Sequence, residues 1–231
     1  MPTTTAPSIL TRGGDFARFQ EVVDWASLPA DREFAYLGMF DWQNLVVDKQ
    51  LARNVLEGSA AGRTLGGYMR VNPTRWTPSQ EARRMLALAA AHNLLAPGRL
   101  IPAVDIEPTS DKEADKLVNW PQWTAAFFDS WRTLSGLPLV VYSSGSYFST
   151  LLGGTGGWPL WVKAWVGHSE KYSRPAGLKP EDWAGNTWYE PQRCVVHQYT
   201  TTGRLAGISK PVDLDCLMPG IQLKDITLHA A

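Results

Sequence analysis

The chain has 231 residues, of which 44% are hydrophobic and 19% charged, and its 22 basic residues balance 22 acidic ones. This apolar content supports one large domain with a substantial core and excludes a disordered chain. The balanced charge gives no reason to expect a nucleic-acid or anionic-membrane partner. No apolar run reaches the length of a membrane-spanning helix.

Residues 1–12 are predicted to form a flexible tail, which lacks the basic and apolar regions of a signal peptide. We therefore expect synthesis in a cytoplasm, with another route out if the protein acts outside the cell. The two cysteines, Cys194 and Cys216, do not have the spacing of a zinc site. We expect buried free thiols or one bridge between neighbouring strands, and neither a metal nor another cofactor.

Strand-like and helix-like segments alternate along the first two thirds of the chain. The predicted strands there span residues 13–17, 33–39, 66–71, 101–107, 137–142 and 160–165. The predicted helices span 51–61, 121–134 and 147–152, and another is capped by Ser79 and continues through residue 91. A loop-rich segment over 167–193 is followed by strands over 194–200 and 212–214, with no helix between them.

This alternation predicts an α/β fold, because strand–helix–strand units place their strands in parallel. The number of strands suits a closed barrel, and the helix-poor end indicates an irregular one. No linker, repeat or low-complexity segment interrupts residues 13–231, so we predict a single TIM-like barrel domain over that range. Active sites of such barrels lie at the carboxyl ends of the strands.

The fourth predicted strand ends in two carboxylates, Asp105 and Glu107, separated by one residue. Because side chains alternate faces along a strand, both point the same way, with Cα atoms about 6–7 Å apart. Mutual repulsion favours keeping one of them protonated near neutral pH, as general acid catalysis of glycoside hydrolysis requires. A strand end that simply meets solvent is the other interpretation of this motif.

Other chemistries find less support in the sequence. The histidines, at positions 92, 168, 197 and 229, are scattered, and no serine or cysteine lies in a recognisable nucleophile turn. A triad hydrolase and a metal amidase are therefore disfavoured, and the absence of a glycine-rich phosphate loop disfavours nucleotide chemistry. The 11 tryptophans suit either a saccharide groove, because sugar rings pack on flat apolar faces, or an ordinary core.

Six segments in chain order carry a resemblance to a known family. They are 13–20 with Asp24-Trp25, Gly67-Tyr68, 104–107, 139–148, 160–164, and 197–215 with its Gln-Tyr, Gly-Ile and Val-Asp-Leu-Asp elements. Together they resemble glycoside hydrolase family 25, the lysozyme-like muramidases found in many phage endolysins, whose closing pattern reads Val-Asp-Leu-Asn. The resemblance covers nearly the whole chain, although no single segment is specific.

The resemblance implies a (β/α)5(β)3 barrel that cleaves peptidoglycan between N-acetylmuramic acid and N-acetylglucosamine with retention of configuration. Glu107 would be the general acid/base. Asp105 would assist it and help stabilise charge on the sugar or on its acetamido group, which can act as the internal nucleophile. The other implied site residues are Asp15 and Asp213, which complete the acidic cluster, and Tyr68, Tyr142, Trp161, Gln198 and Tyr199, which line the saccharide groove. Taken singly, the two aspartates also suit strand-end turns, and Tyr142 and Trp161 also suit a plain core.

The second strand departs from the family pattern. The family continues there into Lys-Ala-Thr-Glu-Gly, whereas residues 36–43 read Tyr-Leu-Gly-Met-Phe-Asp-Trp-Gln, so Asp41 is the candidate replacement for the missing acid. Ala17 replaces a serine, and Met69 or Arg70 stands where a histidine often follows the third-strand tyrosine. These changes leave two alternatives open: a catalytically weak or inactive barrel that serves as a glycan-binding or phage structural domain, and a glycosidase for another polysaccharide.

Bacterial peptidoglycan strands are the expected partner, and the bacterial cell wall is the expected place of action. No separate wall-binding module is evident in the sequence. We therefore expect a phage endolysin or a virion-associated lysin, with a holin or the virion itself giving access to the wall.

Overall fold

The computed structural model describes residues 11–109, 111–144, 147, 158–163 and 193–230. The strands in these residues are β1 Arg12–Phe16, β2 Arg32–Gly38, β3 Phe40–Asp41, β4 Val46–Val47, β5 Thr64–Arg70, β6 Ala103–Asp105, β7 Val140–Ser144, β8 Leu160–Lys163, β9 Cys194–Gly203 and β10 Val212–Leu217. The helices are α1 Leu51–Ala60, α2 Pro78–Ala91, α3 Lys112–Lys116 and α4 Trp120–Ser135, and short 3-10 turns span Arg18–Gln20 and Leu223–Ile226.

Eight of these strands form a closed barrel in the order β1-β10-β9-β8-β7-β6-β5-β2, and β3 pairs with β4 in a separate hairpin. Neighbouring strands are parallel from β1 through β2, β5, β6, β7 and β8 to β9. β10 is antiparallel to both of its neighbours, β9 and β1. The prediction of an irregular TIM-like α/β barrel is confirmed, since the chain passes from β9 to β10 without a helix.

Alternation of side chains along the strands places one apolar layer inside the barrel and another between the sheet and the helices. On β2, for example, Tyr36 belongs to the inner layer and Leu37 to the outer one. The inner layer fills the amino-terminal end of the barrel. The chain around Ile226 closes that end, because the Ile101 amide donates to the Ile226 carbonyl oxygen at 2.8 Å. The carboxyl end is left for polar side chains.

Two glycines make room for large inner side chains. A Cβ atom on Gly13 would lie 2.6 Å from the Phe34 ring, and one on Gly66 would lie 2.5 Å from the Leu100 Cβ atom. Both distances are shorter than van der Waals contact. The close-packed interior therefore holds Phe34 and Leu100 because their neighbours lack a side chain.

Helix α2 begins earlier than predicted. Thr77, not Ser79, is its N-cap: the Thr77 hydroxyl accepts from the Gln80 amide at 3.4 Å, and the Gln80 side chain accepts from the Thr77 amide at 2.9 Å. Pro78 at the first helical position lacks an amide hydrogen, which would be unpaired there in any case. This reciprocal capping box outweighs the weaker signal from Ser79.

The strand that carries Asp105 is shorter than predicted. β6 pairs with β5 and β7 over Ala103–Asp105, so Glu107 lies two residues beyond the end of the strand. The chain nevertheless stays attached to β7, because the Ile106 amide donates to the Tyr142 carbonyl oxygen at 3.0 Å and the Ser143 hydroxyl donates to the Ile106 carbonyl oxygen at 2.6 Å. Strands β9 and β10 are longer than predicted.

The remaining predictions for the described residues have clear outcomes. The helix predicted over 121–134 is α4, which ends at Ser135 and is capped by Gly136 with φ of +63°. Cys194 and Cys216 are both buried, and no disulfide bridge joins them. In the described part of the chain, no helix has both the length and the hydropathy needed to cross a membrane. The tail up to residue 10, all but the first residue of the helix predicted over 147–152, and the segment 164–192 lie outside the described residues.

Replacing Thr77 by alanine should lower the free energy of unfolding by about 1 kcal/mol, because the first turn of α2 loses its side-chain acceptor. Ser79→Ala is the matched control, and it should change stability by less than about 0.5 kcal/mol. Urea unfolding of both variants measures the difference. A larger loss for Ser79→Ala than for Thr77→Ala would contradict the capping assignment.

Candidate active site

A cleft of about 200 Å³ opens at the carboxyl end of the barrel. All the residues that the sequence pointed to line it, with the exception of Tyr199. They are Asp15, Asp41, Asp105, Glu107 and Asp213 among the acids, and Tyr68, Tyr142, Trp161 and Gln198 among the other side chains. Residues from at least six different strands or their following loops therefore meet in one place.

Glu107 lies beside an arginine at the rim of the cleft. The Arg70 Nη1 atom is 4.0 Å from the Glu107 Oε2 atom, and the side chains are 21% and 14% exposed. Arg70 also donates to the Pro108 carbonyl oxygen, and its guanidinium lies over the Trp42 ring at 4.7 Å from the ring centre. These contacts hold the chain that carries Glu107 against β5. Of the two residues that could stand where the family pattern often has a histidine, Arg70 faces the cleft and Met69 belongs to the outer apolar layer.

Asp15 is joined to Tyr142 through an amide side chain. The Gln198 Nε2 atom donates to the Asp15 Oδ2 atom at 2.9 Å, and the Tyr142 hydroxyl donates to the Gln198 Oε1 atom at 3.0 Å. Since Tyr142 occupies the amide oxygen, the amide nitrogen is turned toward Asp15. One hydrogen-bonded chain thus fixes the orientation of groups from β1, β7 and β9.

The centre of the cleft concentrates negative charge. Asp15 on β1 is the register partner of Asp213 on β10. Burial raises the pKa of Asp15 well above its ordinary value, the carboxylates of Asp213 and Asp215 raise it further, and the Gln198 hydrogen bond opposes them. The cluster therefore holds a proton more tightly than isolated carboxylates would.

Aromatic rings form the floor of the cleft. Trp161 stacks on Tyr36 with ring centres 4.7 Å apart and meets the edges of Tyr142 and Tyr68 at 4.7 and 6.0 Å. Burial raises the pKa of Tyr68 and Tyr142 well above the ordinary phenol value, and nearby carboxylates add to the effect. Both hydroxyls are therefore neutral hydrogen-bonding groups. Trp161 is only 1% exposed, so it is at once a core residue and the floor of the cleft.

Asp41 reaches the cleft from the β3–β4 hairpin, but as an ion-paired carboxylate. The Arg18 Nε atom lies 2.7 Å from the Asp41 Oδ2 atom. Burial alone would raise the pKa of Asp41, but hydrogen bonds from Asn44 and Gln43 together with the charge of Arg18 lower it. Asp41 is therefore unsuited to donate a proton near neutral pH, and its position compensates only in part for the altered second strand.

The prediction that Tyr199 lines the saccharide groove is wrong, because this residue is not among those that line the cleft. On β9 it follows Gln198, which faces the lumen, so Tyr199 faces the outer apolar layer and is 2% exposed. Its hydroxyl accepts from the Arg32 Nη1 atom at 3.2 Å. The Gln-Tyr motif in the sequence did not show which of its two residues points inward, and the alternation of faces separates them.

Sequence reasoning missed Asp215 and the two arginines. Asp215 is fully buried in the lumen, where its Oδ1 atom accepts from the Trp161 Nε1 atom at 3.0 Å. The period of two that paired Asp105 with Glu107 also pairs Asp215 with Asp213, and this signal could have found it. Arg18 and Arg70 had no such signal, because their partners are distant in the sequence. In the described segments, no cluster of His, Cys, Asp or Glu is arranged to hold a metal ion.

A barrel of mostly parallel strands with carboxylates clustered at the carboxyl ends of those strands suits a glycoside hydrolase. The sequence profile of the glycosyl hydrolases family 25 matches residues 15–208, which is most of the chain. The chain therefore belongs to glycosyl hydrolases family 25, and it is a glycoside hydrolase of the lysozyme, or muramidase, type. The matched range includes Asp15, Asp105 and Glu107 but ends before Asp213.

Solved structures share this fold. The bacterial lysozyme from Streptomyces coelicolor is 20% identical, with a TM-score of 0.67 over 94% of this chain and 95% of that one. The catalytic domain of endolysin ply40 from bacteriophage P40 of Listeria monocytogenes is 17% identical, with a TM-score of 0.71 over 96% and 98%. The Clostridium perfringens spore cortex lytic enzyme SleM is 19% identical, with a TM-score of 0.70 over 97% and 71%. No curated protein sequence matches this chain.

Removing the hydroxyl of Tyr142 or of Tyr199 should distinguish a role in the cleft from a role in stability. Tyr142→Phe should lower kcat/KM by about tenfold or more, because Gln198 and Asp15 lose the group that orients them. Tyr199→Phe should leave kcat/KM unchanged and lower the free energy of unfolding by about 1–3 kcal/mol, because Arg32 loses a buried acceptor. Cell-wall turbidity assays and urea unfolding measure the two effects. A selective loss of activity in Tyr199→Phe would contradict the orientation of β9.

Proposed function

We propose that this chain is an N-acetylmuramidase that cleaves the β-1,4 bond between N-acetylmuramic acid and N-acetylglucosamine in peptidoglycan with retention of configuration. The convergence of Glu107, Asp105, Asp15 and Asp213 in one cleft is the observation that carries the proposal. Membership of family 25 supports peptidoglycan as the substrate.

Glu107 is assigned as the general acid/base. It is only partly exposed at the rim, and Arg70 and the backbone contacts of Ile106 hold the chain around it. In the first step Glu107 gives its proton to the leaving glycosidic oxygen while the acetamido oxygen of the substrate bonds to the anomeric carbon. That bond closes a five-membered ring on the sugar. In the second step water attacks the anomeric carbon and opens this ring, and Glu107 takes a proton from the water. Each step inverts the configuration, so two inversions give net retention.

The other carboxylates stabilise the positive charge that develops during cleavage. An oxocarbenium-like transition state carries charge on the ring oxygen and the anomeric carbon. Asp105 is 7% exposed and is the last residue of β6, so its carboxylate would act in a poorly solvated place, where electrostatic interactions are stronger than in water. Asp15 and Asp213 extend the same negative region toward β1 and β10.

The rings that face the substrate are those with exposed surface. Tyr68 and Trp42 are half-buried at the edge of the cleft, whereas Trp161 lies beneath them. We assign sugar stacking to Tyr68 and Trp42 and assign Trp161 the role of support. The Trp42 ring also has Arg70 over one face, which fixes its orientation.

Delivery to the wall as a phage lysin is part of the proposal. The similar fold of the endolysin ply40 catalytic domain supports it. A holin or the virion would bring the enzyme to the cell wall. A barrel that only binds glycan is the competing function, and the altered second strand with its ion-paired Asp41 favours that alternative.

Glu107→Gln should reduce cleavage of purified peptidoglycan by about 10²–10⁴-fold, because the amide cannot exchange the catalytic proton. Glu113→Gln, which changes an exposed acid on α3, is the matched control and should keep full activity. Release of reducing ends measures cleavage, and sedimentation with insoluble wall measures binding. An unmodified chain that binds walls of several bacteria and releases no reducing ends would support the glycan-binding alternative instead.

A further inference from the structure

Asp215 is an acid in a place that suits a neutral side chain. It is fully buried in the barrel lumen, two residues along β10 from Asp213. One carboxyl oxygen accepts from the Trp161 indole, a neutral donor, at 3.0 Å. The other oxygen, Oδ2, is buried and has no hydrogen-bond partner among the described residues. An ionised carboxylate with one neutral donor would be poorly compensated here.

The charges around Asp215 do not compensate for ionisation. The ionisable groups that act on it or feel its charge are Asp213 on the same strand, Asp15 on β1, Arg32 and Tyr36 on β2, Tyr199 on β9, and the adjacent Cys216. Arg32 is the sole cation in this set. Its guanidinium donates to Tyr199 and lies 3.8 Å from Asp31, and no ion pair joins it to Asp215.

Burial and the charge of Asp213 raise the pKa of Asp215 well above its ordinary value, while the Trp161 hydrogen bond and Arg32 oppose them. This rise in pKa agrees with the surroundings of the carboxyl group, which has one neutral donor and a buried Oδ2 atom without a partner among the described residues. Asparagine would have the same shape, offer an oxygen to the indole and carry no charge.

We propose that Asp215 is a positioning residue that works in its protonated form, holding the Trp161 indole beneath the saccharide cleft as an asparagine would. Trp161 in turn contacts Tyr142 and Tyr68, which line that cleft. Asp215 thus acts on the substrate through Trp161. Its role in activity rests on the proposed function, whereas its protonation does not.

Two variants test this proposal. Asp215→Asn should keep kcat and KM within about twofold of the unmodified chain, and its pH profile should overlay the unmodified one, because no negative charge is lost. Asp215→Leu should lower kcat/KM by about tenfold or more, measured well below its melting temperature, because the indole loses its acceptor. Rescue by asparagine and not by leucine is the expected signature.

Thermal unfolding tests protonation without any activity. An acid whose folded pKa is raised contributes most stability below its unfolded pKa and loses that contribution as the pH rises toward the folded value. Asparagine has no such loss. Asp215→Asn should therefore melt at the same temperature as the unmodified chain near pH 4 and about 3 °C or more above it at pH 7.

Several outcomes would overturn the proposal. A large fall in kcat for Asp215→Asn, or a pH profile displaced from the unmodified one, would mean that Asp215 works as a carboxylate. An Asp215→Asn chain that fails to fold, or that melts below the unmodified chain at pH 7, would mean the same. If the unmodified chain cleaves no peptidoglycan, the proposed function fails, and the melting comparison still decides whether Asp215 is protonated.

Discussion

Closure of the barrel between β1 and β10 is the constraint on which the whole site depends. The first and last strands of the barrel pair there in antiparallel register, so that Asp15 and Asp213 become direct partners although they are far apart in the chain. On the other side of β10, Gln198 of β9 is the register partner of Asp215, and its side chain reaches Asp15. A shift of one residue in this register would turn the acids into the outer apolar layer and remove the cluster.

The repulsion among the clustered acids is reduced in two different ways. At the rim, acids are matched with arginines: Glu107 with Arg70, and Asp41 with Arg18. At the centre, Asp15 accepts its hydrogen bond from a neutral amide, and protons are held tightly. The division follows solvent access, because a guanidinium keeps part of its hydration at the rim and would lose it in the lumen. Under the proposed mechanism, the proton donor Glu107 lies at the partly exposed rim, and Asp15 and Asp105, which are assigned to stabilise positive charge, lie buried beneath it.

Much of the fold was readable from the sequence because strand and helix periodicity are local signals. The barrel class, the position of α4, and the convergence of nearly all predicted site residues follow from alternation and chain order. The features that the sequence did not predict correctly have physical causes. The length of β6 depends on which residues its neighbours can pair with, and the inward residue of the Gln198-Tyr199 pair depends on register. Arg70 and Arg18 depend on tertiary ion pairs, which no local pattern predicts.

Identification of the new reducing end in cleaved peptidoglycan tests the central claim most directly. Products would be taken at short times, their anomeric configuration determined by NMR, and their reduced ends identified by mass spectrometry. The proposed mechanism predicts N-acetylmuramic acid at the new reducing end, released first as the β-anomer. N-acetylglucosamine at that end, or the α-anomer as the first product, would contradict it.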